Sequence, residues 1–139
     1  MTRNGPDDAT RKGASAVDAI EGLLAYAQTR RWKGAAFNSV REAIARSRAL
    51  VRESHGEHTA LLARCLRTAA KMQLKRGRAM EALPLAQEAV ALTRSLGGGP
   101  LEVSLRALAA ALEALHRYSE AAETLAEADR IIPPPDDRE

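Results

Sequence analysis

The chain is poor in the residues that build sheets and cross-links. Aromatic side chains make up 3% of its 139 residues, with one Trp, one Phe and two Tyr. No run of β-branched residues occurs, so the paired side chains that hold a sheet together are missing. A single cysteine, Cys65, excludes an internal disulfide and fits a reducing compartment. No apolar run approaches the ~18 residues that span a bilayer, and the opening "MTRNGPDDATRKGASA" has no apolar core of a secretory signal. A soluble, cytoplasmic protein is the expectation. A dominant sign of charge is lacking too: 21 Lys and Arg face 18 Asp and Glu, a net of +3 with the signs interspersed. That balance argues against generic nucleic-acid binding.

What is abundant is alanine, about a fifth of the chain, with many leucines and arginines. Small and straight side chains favour helices that pack closely. The excess of Arg over Lys beside so much Ala points to a GC-rich bacterial genome. Polar residues 1–14, with Gly5, Pro6 and Gly13, show no apolar period and read as a disordered leader. "PPPDDRE" at 133–139 reads as a solvated tail.

Between them lies one domain, 15–132. Its breaks are "TRRWKG", "SHGEH", "KRGR", "LGGGP" and, more weakly, "LHRY". They delimit six helices, about 16–29, 34–53, 58–75, 79–96, 101–115 and 119–131. Each carries apolar residues at helical spacing, as in Leu105, Leu108, Ala109 and Leu112. Pro84 falls in or just after the first turn of the fourth, where a missing amide costs little.

"GRAMEALPLAQEAVAL" lies over "HRYSEAAETLAEADRI" at an offset of 39 residues. Leu66 then falls on Leu105, Ala70 on Ala109, Ala82 on Ala121 and Ala89 on Ala128. A fainter copy precedes them at an offset of 46, through Ile20, Leu24, Ala36, Val40 and Ala43. Three helix–turn–helix units follow, about 17–53, 58–96 and 101–132, with alanines where paired helices cross. The pattern Leu105, Leu108–Ala109, Leu112, Tyr118, Ala121, Leu125, Ala128 and Pro133 resembles the tetratricopeptide repeat. Leu66, Ala69–Ala70, Gly77, Ala82, Ala86 and Ala89 carry it again, with Gln73 and Ala79 where the family has aromatics. The first copy is degenerate, with Arg31 at the turn glycine. The longer linkers and "EALPLAQEA" are similar to variant repeats of kinesin light chains and bacterial regulatory proteins. The resemblance implies an all-α solenoid of about three hairpins that binds other proteins, with the first helix of each hairpin lining a concave groove.

No nucleophile stands at a motif spacing from a base, and "LGGGP" lacks the Lys-Ser/Thr of a phosphate loop. A non-enzymatic protein without cofactor or metal is expected. His55, Glu57, His58 and Cys65 match no closed zinc spacing and read as loop histidines plus a core thiol. Steps of 3, 4 and 4 put Arg64, Arg67, Lys71 and Lys75 on one stripe of the third helix. Arg106 repeats Arg67 one unit later. Facing the groove implied by the resemblance, these cations suit a carboxylate-bearing or acidic protein or peptide partner. The asparagines of the family's carboxylate clamp are missing at Thr68, Lys71 and Ala110. The same stripe also fits an ordinary solvated helix face. Trp32 reads either as an interface anchor or as a cap on the apolar edge between two helices. Two further roles stay open: a homo-oligomer formed through an open repeat end near Leu125, Ala128, Ile131 and Ile132, or a regulatory module of a bacterial transcription or signalling system.

Overall fold

The structure is a computed structural model that describes residues 6–29, 33–54 and 56–132, with side chains from residue 13 onward except that of Lys33. Six helices succeed one another: α1 (Pro6–Thr29), α2 (Lys33–Glu53), α3 (Thr59–Lys75), α4 (Ala79–Thr93), α5 (Gly98–Ala114) and α6 (Tyr118–Ile131). Among the described residues there is no strand. The fold class is all-α.

Three boundaries differ from the sequence reading, each for a backbone reason. α1 begins at Pro6, inside the stretch expected as leader. Proline is preorganised for the first helical position, and the polar residues after it have adequate helix propensity without needing an apolar face. α4 ends at Thr93 and α5 begins at Gly98. The pivot is Gly97, whose φ of 65° and ψ of −162° suit only glycine. Pro100 then falls in the first turn of α5, where amides have no helical partner. Pro84, by contrast, is the sixth residue of α4, deeper than the first turn. The helical bond its amide would give the Met80 carbonyl is not formed. Both residues are exposed, so that carbonyl lies on the wet side of the helix.

The chain divides into two compact units, Met1–His58 and Thr59–Glu139. In the first, α1 packs against α2. Ile20, Leu24 and Ala27 on α1, and Ala36, Val40 and Ala43 on α2, are buried.

In the second unit α3 packs against α4, α5 against α6, and α5 also against α3 and α4. Ala70, Ala82, Ala86 and Ala111 form one buried cluster, with Leu74, Ala107 and Leu108 packed on it. Their small side chains let three helices approach closely. Val90, Leu101, Leu105 and Ala128 form a second cluster, edged by Leu108 and Ile131. Leu66 and Leu105 are almost fully buried, each contributing about 2 kcal/mol of apolar transfer.

The turns of this unit repeat bond for bond. Arg78 N donates to Gln73 O at 2.8 Å and Gly77 N to Leu74 O at 3.0 Å. Thirty-nine residues on, Arg117 N donates to Leu112 O at 2.9 Å and His116 N to Glu113 O at 2.9 Å. Each is a Schellman closure, which needs a left-handed residue after the helix. Gly77 supplies it at φ 76°, and His116 at φ 62°.

Candidate functional site

The spacing of α3 buries Leu62, Cys65, Leu66, Ala69 and Gln73 on one side and turns Arg64, Lys71 and Lys75 to solvent. Arg67 sits at the edge, half-buried. Its Nη1 donates to Ser104 Oγ of α5 at 3.0 Å, and that hydroxyl donates to the Pro100 carbonyl at 2.8 Å. Arg67 thus ties one hairpin to the next. Burial pushes its pKa down, and the neighbouring Arg64 charge pushes the same way. No carboxylate among the described residues offsets it. Neither Lys71 nor Lys75 meets a carboxylate among the described residues.

Arg106 occupies the same register but a different environment. Its Nε donates to Glu102, and its Nη2 to Asp129 of α6 at 2.9 Å. Hydrogen bonds to Glu102 first, then Asp129, raise its pKa. Its charge is satisfied within the hairpin. Of the five cations named from sequence, the structure therefore keeps Arg64, Arg67, Lys71 and Lys75 together on α3 and commits Arg106 to two carboxylates.

Trp32 and His55 lie outside the described residues. Cys65 is buried, and His58 Nε2 stands 3.8 Å from Glu57. Among the described residues no three His, Cys, Asp or Glu side chains gather as metal ligands.

Several residues escaped the sequence reading although the repeat carried their signal. Ser104 stands where Cys65 stands one unit earlier, and both are fully buried. Ser47 and Thr93, related by the 46-residue offset, are both fully buried. Their hydroxyls donate to Ala43 O and Ala89 O, each at 2.8 Å. The first copy is therefore better preserved inside than its turn suggests. Gln73 Oε1 is buried with no hydrogen-bond partner among the described residues, at the position Leu112 holds in the next hairpin.

Compared with protein-family models, curated proteins and solved structures, the chain matches none. Its class is thus set by its own fold: an all-helical protein of paired helices with a basic row on α3. Among the described residues no helix is long and apolar enough to cross a membrane.

Proposed function

We propose that the chain is a non-enzymatic, tetratricopeptide-like helical-repeat module, stacked as a solenoid, that binds an acidic or carboxylate-bearing segment of a protein partner along α3. The observation that carries this reading is the row Arg64, Arg67, Lys71 and Lys75, in which the two lysines are exposed and meet no carboxylate among the described residues. The half-buried Arg67 charge is likewise met by a neutral hydroxyl. A partner carboxylate there gains charge-assisted hydrogen bonds and relieves the mutual repulsion of the row. The bond-for-bond repeat of the two turns supports the repeat architecture, and repeats of this kind expose long binding faces.

The test is affinity capture from the native lysate with the wild type and with Lys71→Glu/Lys75→Glu, both checked by circular dichroism for unchanged melting. These exposed positions leave the Arg67–Ser104 link intact. A protein captured by the wild type and lost from the double variant is the expected result. A partner held equally by both removes α3 as the site.

A further inference from the structure

The basic row has an apolar neighbour. On α5, Val103, Ala107, Ala110 and Ala114 follow at steps of 4, 3 and 4. Val103, Ala110 and Ala114 are exposed and Ala107 is partly so. They occupy the register of Arg64, Thr68, Lys71 and Lys75 one repeat on. α3 and α5 run side by side in the same direction. Arg67 meets Ser104 near their starts, and further along Ala107 and Ala111 join the cluster around Ala70. The two rows therefore lie next to each other, with Arg67 on the seam between them. Each row covers eleven residue steps, roughly 16 Å of helix.

Resting on the function proposed above, we propose that the partner segment is an α-helix of about three turns, amphipathic in a particular way: one edge is acidic and lies over α3, and the adjoining edge is apolar and lies over α5. Charge complementarity fixes the first edge, because carboxylates on a protein partner answer the exposed Lys71 and Lys75 and the Arg67 charge now met by a neutral hydroxyl. The alanines fix the second, because side chains this small leave space for a partner helix to approach to about 8–10 Å and insert Leu- or Met-sized groups. An extended acidic tail satisfies the cations and leaves Val103 and the alanines wet. The helix covers both rows.

The probe is a fluorescein-labelled 18-residue peptide with Glu along one helical edge and Leu along the next, read by fluorescence anisotropy with the full chain. Two peptides of the same composition serve as controls, one with Glu and Leu scrambled and one with two central prolines that keep it extended. A single-stranded 18-nucleotide RNA is the third control. The helix is expected to bind at least about tenfold more tightly than either control peptide and to weaken with added salt. Lys71→Glu/Lys75→Glu and, separately, Val103→Glu/Ala110→Glu are each expected to lower its affinity about tenfold or more. Equal binding of the proline peptide, lost in the lysine variant but not in the Val103/Ala110 variant, overturns the helix and leaves the acidic-segment reading standing. Binding of no peptide, or tighter binding of the RNA, overturns both.

Discussion

The hairpins α3–α4 and α5–α6 start from one template and end in different roles. Their turns share the same hydrogen bonds, and Ala82 and Ala121 sit buried at the same crossing. What differs is where the polar groups go. In the first hairpin, Arg67 reaches forward to Ser104 of its successor, and Val90 is buried beside Leu101 and Leu105 of α5. In the second, Asp129 stands where Val90 stood and draws Arg106 back onto its own hairpin, together with Glu102. A flank covered by another helix suits an apolar residue, and one that stays partly exposed suits a residue that water accepts. The exchange of Val for Asp expresses that need in one residue.

Exchanging residues between equivalent positions tests the comparison. The largest effect is expected from Val90→Asp, which buries a carboxylate among Leu101, Leu105 and Ala128. Its desolvation outweighs pairing with Arg67, in the register of Arg106 and Asp129, and lowers stability by about 1–4 kcal/mol, read as a lower urea midpoint. The mirror change, Asp129→Val, removes one of the two carboxylate partners of Arg106 and adds apolar surface. Light scattering across concentration is expected to show a mass above that of the wild type. Identical masses mean that Asp129 does not oppose self-association.

Gln73 and Leu112 come next. Replacing the buried amide oxygen in Gln73→Leu removes an unpaired acceptor and is expected to stabilise by about 1–2 kcal/mol, whereas Leu112→Gln costs about 2–3 kcal/mol. Chemical denaturation reads both, and a destabilising Gln73→Leu shows that the amide serves packing rather than harming it.

The turn residues give a smaller contrast. His116 holds a left-handed φ that disfavours side chains, partly offset by a 2.6 Å hydrogen bond between its Nδ1 and the Tyr118 hydroxyl. His116→Gly is expected to gain, and Gly77→His to lose, about 1 kcal/mol in thermal melts. No gain in the first means that the Tyr118 bond fully offsets the strain.

The smallest effect concerns pH. Hydrogen bonding from Arg94 lowers the pKa of Glu127, a pair that links α4 to α6 at 2.6 Å. A depressed carboxylate contributes stability above its unfolded pKa and loses it as pH falls through the folded one, here below about pH 5. The wild type is expected to lose its urea midpoint slightly more steeply on acidification than Arg94→Gln. Parallel curves remove the pair from the stability of the fold.

The six helices were legible in the chain because apolar period, turn glycines and the Gly-Gly-Gly-Pro stop act locally, and local signals survive in sequence. The seam was legible because Ala70, Ala82 and Ala89 recur 39 residues on as Ala109, Ala121 and Ala128. The basic row was legible for the same reason, since i, i+3 and i+4 steps always share a helix face. Pro84, read as in or just after the first turn, is the sixth residue of α4 although the helix start at 79 was read as observed. The start of α1 at Pro6 was missed because the residues that follow carry no periodic signal.

What composition and spacing determined by themselves is therefore an all-helical chain of repeated hairpins with four cations on one stripe of α3. Only tertiary structure decided which cations remain available. Arg67 and Arg106 are the same residue in the same register, and the one local difference is Glu102, a turn before Arg106 where Ala63 precedes Arg67. Arg67 meets a hydroxyl and Arg106 two carboxylates. The physical reason is that an arginine's charge is answered by whatever the fold brings within about 3 Å of it, and Ser104 for Arg67 and Asp129 for Arg106 come from helices distant in the chain.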